Sequence, residues 1–259
     1  MAILAVWNGA GLTDGATLTT TLAGPGDTPF ALRNGTVQTI ERIGAADHSD
    51  IVFAQAAGAA SWIGWGQAVF GTTGLAQYTL RWYGTFTAWA SASFTAATGL
   101  TGNNTTQQWR LTLAGTGAGT QAGQLRILTG TGTQLATSGS DVLPLNEPVR
   151  IEIGSDAGAL TVRAYPGDAT VPLATATATG LPSSGFDTVR FGPNSSTPTT
   201  PQFRYRHFAA SDTAAPIGPV VPPPDAAWTV WDGAAEQPLT LEGVWDGAAI
   251  IPATYDTVT

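Results

Sequence analysis

Apolar and polar residues alternate with period two through the middle of the chain. In Tyr78-Thr79-Leu80-Arg81-Trp82-Tyr83-Gly84-Thr85-Phe86 the side chains of Tyr78, Leu80, Trp82 and Phe86 fall on one face, the arrangement of a strand half buried against a core. The same rhythm sets Trp109, Leu111 and Leu113 against Arg110 and Thr112, and Leu125 and Ile127 against Arg126. It sets Val149, Ile151 and Ile153 against Arg150 and Glu152, Leu160 and Val162 against Thr161 and Arg163, and Phe203, Tyr205 and His207 against Arg204 and Arg206. Turn signals at Gly115 to Gly119, Gly130 to Gly132, Ser155-Asp156-Ala157-Gly158 and Tyr165-Pro166-Gly167-Asp168 separate the runs. Many short strands broken by turns predict an all-β, antiparallel sandwich. The Ala-rich stretch 85–98 reads as strand and loop rather than helix, because of its Thr, Ser and aromatic content, and residues 1–77 are expected to supply the remaining strands of the same sandwich.

Charge then divides the chain. Through Asp212 there are twelve acidic and ten basic residues, and beyond it six acidic and none basic. The change coincides with Ala214-Ala215-Pro216-Ile217-Gly218-Pro219-Val220-Val221-Pro222-Pro223-Pro224, whose prolines favour an extended, semi-rigid conformation. The expected organisation is a sandwich over 1–213, a Pro-rich linker over 214–225 and a small acidic β-meander over 226–259. In that last segment Val230-Trp231-Asp232-Gly233-Ala234-Ala235 recurs as Val244-Trp245-Asp246-Gly247-Ala248-Ala249. Asp-Gly favours tight turns, so Thr229 to Trp231, Leu239 to Trp245 and Ile250 to Tyr255 read as its strands. So short a meander has too little core to fold alone and needs a surface to dock on.

Composition excludes several functions. The net charge of −8 disfavours nucleic acid. Without Cys there are no disulfides or thiolate metal sites. No run of eighteen apolar residues occurs, and the first residues lack a basic region, so neither membrane insertion nor a secretory leader is expected.

Two resemblances add to this reading. Trp109 to Leu113, Val149 to Ile153 followed by Leu160 to Tyr165, and Phe203 to Phe208 ending in Ile217-Gly218-Pro219 make the region from about Tyr78 to Pro219 resemble the concanavalin A-like, or laminin-G-like, jelly roll. The paired Trp-Asp-Gly motifs resemble the C-terminal segment of minor tail proteins of phages of actinobacteria. Together they imply a structural virion protein, a homo-oligomer assembling with other virion proteins. A carbohydrate-binding adhesin for host surface glycans is the main alternative, and a capsid decoration protein the third. On this reading Trp231, Asp232, Trp245 and Asp246 are the interface candidates.

Jelly-roll glucanases resemble one another in a Glu-x-Asp-x-x-Glu strand whose paired carboxylates act as nucleophile and acid/base. That spacing is absent among the five Glu of this chain, and Glu147 and Glu152 read as solvated positions. No catalytic residue is assigned, and the chain is not expected to be an enzyme. Asp47-His48-Ser49-Asp50 reads as a polar loop, since adjacent residues cannot converge as a triad must. His207 reads as a packed strand residue. Asp156 and Asp168 lack the dense carboxylate loop of a calcium site, so no metal and no cofactor is expected. Trp62 and Trp65, with Trp82 and Trp89 extending the surface, are candidates for stacking on sugar rings, although core packing suits their spacing equally. Eight arginines at mid-strand positions form either a basic face for an acidic partner or an ordinary outward face whose stems cover apolar surface.

Overall fold

The alternating runs become strands because each buries its apolar side against a facing sheet. The computed structural model describes residues 1–35, 38–42, 48–53, 60–117, 121–183, 185–193, 203–220, 228–231 and 236–239. In chain order the strands are β1 (Ile3–Trp7), β2 (Leu32–Asn34), β3 (Gln38–Arg42), β4 (Ser49–Phe53), β5 (Trp62–Trp65), β6 (Gln77–Phe86), β7 (Phe94–Thr101), β8 (Thr106–Leu113) and β9 (Gln124–Thr129). They continue as β10 (Gln134–Val142), β11 (Val149–Asp156), β12 (Ala159–Pro166), β13 (Ala174–Ala178), β14 (Thr188–Phe191) and β15 (Phe203–Ser211), and a single helical turn, α1 (Gln67–Phe70), follows β5.

These strands form two antiparallel sheets. An eight-stranded sheet runs β13-β12-β11-β6-β15-β4-β3, with β1 also paired to β15, and a seven-stranded sheet runs β10-β9-β8-β7-β14-β5-β2. The fold is therefore the expected sandwich. Residues 1–77 supply β1, β3 and β4 to one sheet and β2 and β5 to the other, completing it as expected. Between the sheets Trp65 stacks on Phe30 with centroids 5.0 Å apart, and Phe191 meets both rings edge-on. Such pairs add about 0.5–1.5 kcal/mol each to the burial of their area.

Two compact units emerge, Met1–Pro219 and Val220–Thr259. The boundary lies later than composition places it, because residues 213–219 are bound to the eight-stranded sheet. Thr79 Oγ1 donates to Thr213 O at 2.8 Å, Gly218 N donates to Glu152 Oε1 at 3.0 Å, and Arg81 Nη1 donates to Gly218 O at 3.1 Å. Gly154 of β11 permits this approach, since a Cβ there would stand 2.8 Å from Ala214 O. The first half of the Pro-rich run is thus a strap on the sandwich.

In the second unit β16 (Trp228–Trp231) pairs antiparallel with β17 (Glu236–Leu239), with Trp231 opposite Glu236 and Thr229 opposite Pro238. The sequence did not mark β17 as a strand, and the expected strand from Leu239 to Trp245 lies, beyond Leu239, outside the described residues. Asp232, Trp245 and Asp246, and the expected strand from Ile250 to Tyr255, lie outside the described residues.

Candidate functional site

The two sheets carry polar side chains of different character on their outer faces. On the eight-stranded sheet three arginines form ion pairs with carboxylates. Arg150 Nε lies 2.9 Å from Glu152 Oε1, Arg204 Nε lies 2.7 Å from Glu41 Oε2, and Arg206 Nη1 lies 3.5 Å from Asp50 Oδ1. Arg150 also donates to Ala169 O at 2.9 Å and places its guanidinium 4.1 Å above the Tyr165 ring, while Tyr83 donates to Asp168. Glu152 is 1% exposed and Arg150 2%. Glu152 is therefore no solvated strand position, because the strap and the turn after β12 roof the face; Glu147 is exposed as expected. Burial and these internal bonds make this face part of the scaffold.

The Asp47-His48-Ser49-Asp50 segment ends in the same region. Ser49 and Asp50 are buried on β4, the His48 ring lies 4.6 Å from that of His207, and Asp47 is outside the described residues. Burial pushes the Asp50 carboxyl above its ordinary range, against the opposing pull of Arg206 and Arg204. His207 stands in a bulge of β15 with φ 51° and approaches Asn8 Oδ1 through Nδ1 at 3.1 Å. Burial first, then His48, Arg206 and Arg81, drive its pKa from 6.5 down to about 3. The folded state thus holds this imidazole neutral where the unfolded chain would protonate it. Its stabilising contribution is full above pH 6.5 and is lost as pH falls toward 3. Asn accepts the left-handed backbone and does not titrate, so His207→Asn should flatten this dependence. Between pH 7.5 and 4.5 the wild type should lose up to about 3 kcal/mol through this group, and urea unfolding of both proteins at the two pH values measures it. Asp50 works in the opposite sense, since protonation relieves its buried charge.

The outer face of the seven-stranded sheet is organised otherwise. Trp109, Leu111, Leu125, Ile127, Val189 and Phe191 face the core, so the alternate residues Arg110, Thr112, Arg126 and Arg190 face outward. The register places Arg190 opposite Thr98 and Thr98 opposite Arg110, with Thr112 opposite Arg126 on the next strand. The hairpin from β7 to β8 turns through Asn103 and Asn104 at φ 54° and 72°, a conformation Asn tolerates. This holds Asn104 where Arg190 donates to its Oδ1 at 2.7 Å and its O at 2.9 Å. Arg126 donates to Gln134 Oε1 at 2.5 Å and to Ser93 Oγ at 3.2 Å. Among the described residues the Arg110 side chain makes no hydrogen bond or ion pair; its Nε is buried without a partner, as is Thr98 Oγ1. Beside Leu128, which lies opposite Arg110, and Trp62, this face carries guanidinium, amide and hydroxyl groups, which bind by directed hydrogen bonds.

The two tryptophans expected to stack on sugars do not present open faces. Trp65 is 0% exposed and belongs to the core, where Phe30 occupies one side of its indole. Trp62 lies on the outer side of β5 but is covered by Arg190, whose guanidinium sits 4.3 Å from its ring centroid. Trp82 is likewise fully buried, and Trp89 packs against the core beside Phe86. The alternation Trp-Ile-Gly-Trp made both indoles look alike, but one points inward and the other serves as a shelf for an arginine. The arginine face was visible in the sequence as mid-strand Arg, without the distinction between sheets.

A depression of about 520 Å³ opens elsewhere, lined by Leu75, Gln77, Asp156, Ser183 and Asp212 among others. Its carboxylates are engaged, Asp156 by Gln77 Nε2 at 2.7 Å and Asp212 by Ala2 N at 2.7 Å. Asp168 is held separately by Tyr83.

No protein-family model matches the chain, and no curated protein does. Among solved structures it is similar to the binding domain of botulinum neurotoxin serotype G, with 10% identity and a TM-score of 0.51 over 83% of this chain and 49% of that one. The serotype D binding domain gives 8% identity and a TM-score of 0.50 over 83% and 48%. A Trypanosoma rangeli sialidase in complex with 2,3-difluorosialic acid gives 11% identity and a TM-score of 0.49 over 82% of this chain and 31% of that one. The chain therefore spans about half the length of the toxin domains and under a third of the sialidase. At these identities the likeness is one of fold.

Proposed function

We propose that the sandwich is a glycan-recognition module that binds sugar without cleaving it, and that the chain is carried on a virus particle. The outer face of the seven-stranded sheet carries the first part: arginine and threonine side chains neighbour one another across β14, β7, β8 and β9, with the Asn104 amide beside Arg190. Sugars offer ring hydroxyls and carboxylates, which planar guanidinium and amide groups engage in pairs of directed bonds. The fold shared with two toxin binding domains supports a recognition role. The virion assignment is supported by the repeated Trp-Asp-Gly motif at Trp231 and Trp245, with its resemblance to minor tail proteins.

The full chain on an array of host cell-wall and surface glycans should bind saturably while releasing no reducing ends. Antibody labelling of intact particles should mark the tail in electron micrographs. Absence of binding to every glycan overturns the recognition reading, and sustained release of reducing ends that is lost on substituting a Glu makes the chain an enzyme. Label confined to the capsid would replace the tail assignment with a decoration role.

A further inference from the structure

We propose that the outer face of the seven-stranded sheet binds an acidic polysaccharide, with Arg110 and Arg126 as the residues that take its carboxylates. This rests on the glycan reading above and names the class of sugar. Charge is distributed unequally between the sheets. The seven strands contain four arginines, Arg33, Arg110, Arg126 and Arg190, and a single acidic residue, Asp141 on the edge strand β10. Among the described residues all three arginine–carboxylate ion pairs form on the other sheet.

The seven-stranded face also holds unspent bonding capacity. The Arg110 guanidinium is half buried and meets no acceptor among the described residues, and the neighbouring Thr98 hydroxyl, fully buried although it faces outward, meets none either. Buried polar groups are ordinarily paired; unpaired atoms occur on the other face as well, at Arg150 Nε, Glu152 Oε2 and Arg206 Nε, but those side chains stand in ion pairs, whereas Arg110 forms none among the described residues. Gly132, at φ 102°, brings the turn after β9 against this arginine, since a Cβ there would stand 2.6 Å from its Nη2. That contact fixes the guanidinium without neutralising it. Arg126, diagonal to Arg110 across β8 and β9, lies about 7–8 Å away at Cα, and spends its hydrogen bonds on the neutral Gln134 and Ser93.

The net charge opposes any polyanion, an acidic sugar chain included, so long-range attraction is not what holds the ligand. At −8 the chain repels nucleic acid at long range. An anion is held only where short, directed guanidinium contacts outweigh that repulsion, which suits carboxylates spaced along a sugar chain.

The test is calorimetric titration of the full chain with oligogalacturonate, which bears a carboxylate on each ring, and with its methyl ester, which keeps the backbone and removes the charge. The acid form should bind at least about tenfold more tightly, the loss expected for one charge-assisted hydrogen bond. Arg110→Gln and Arg126→Gln should each weaken it by about the same factor. Arg110→Gln should also leave the melting temperature unchanged, since that side chain bonds nothing among the described residues. Equal affinity for acid and ester, or an unaltered Arg110→Gln, overturns the carboxylate assignment while the glycan reading stands. Failure of both sugars and of the whole glycan array removes the reading beneath it. Displacement of the sugar by a peptide of residues 220–259, or by single-stranded DNA, at lower concentration assigns the face to a protein or nucleic-acid partner instead.

Discussion

A chain ended at Pro219 should unfold in one cooperative thermal transition, and a chain ended at Asp212 should melt roughly 6–12 °C lower. The unit Met1–Pro219 contains both sheets and every side chain of the core cluster, so residues 1–219 carry that core by themselves. Removing residues 213–219 as well takes away the acceptor of Thr79, the backbone donor to Glu152 and the backbone acceptor of Arg81. Two of these bonds involve charged groups, at about 1.5–3 kcal/mol each, and the bared charges recover part of that from water. A net loss near 3 kcal/mol corresponds to that temperature shift in a domain of this size. Gly154→Ala should reproduce part of the loss in the longer chain, because its methyl group displaces Ala214. Scanning calorimetry of the three proteins is the measurement. Equal melting temperatures for the two truncations would show that the strap rests on the sheet without stabilising it.

Composition alone supports a different boundary, for a physical reason. The run from Ala214 to Pro224 is rich in proline, so it reads as a linker. What attaches it is the backbone N–H and C=O of Gly218, and main-chain groups are the same in every sequence. The strands themselves were legible wherever apolar residues alternate with polar or charged ones. Tyr78 to Phe86, Trp109 to Leu113 and Val149 to Ile153 show that alternation and form β6, β8 and β11. β4, Ser-Asp-Ile-Val-Phe, has no such alternation to read; its five residues are all buried.

The functional face was half legible. Alternation placed Arg110, Arg126, Arg150 and Arg190 outward with equal force, yet Arg150 is buried beside Glu152 while Arg110 has no partner among the described residues. The difference lies in which sheet each strand joins and what lies over it. That depends on pairings between residues far apart in the chain, such as Arg150 with Tyr83. The indole candidates failed for a related reason, since Trp65 and Trp62 share a strand but not a side of it.

Glu152→Ala should be among the most damaging single substitutions in the sandwich, costing about 3–5 kcal/mol, or roughly 6–20 °C in melting temperature. The carboxylate stands between Arg150, 2.9 Å away, and the strap, whose Gly218 N–H it accepts at 3.0 Å. It also favours the charge of Arg81, which burial opposes. With the carboxylate gone, two guanidinium groups remain on a roofed face without their counter-charge, and Gly218 N–H loses its acceptor. The cost is therefore that of stranding charge rather than the small worth of an ion pair. A double-mutant cycle separates the two. Arg150→Met alone strands the carboxylate, and the pair Arg150→Met with Glu152→Ala removes both charges. Their combined loss should fall short of the sum by about 1–3 kcal/mol, measured by urea unfolding at neutral pH. Losses that add to within about 0.5 kcal/mol would mean the two side chains act independently, and the covered face would then owe its stability to the Arg150 bonds with Ala169 and Tyr165.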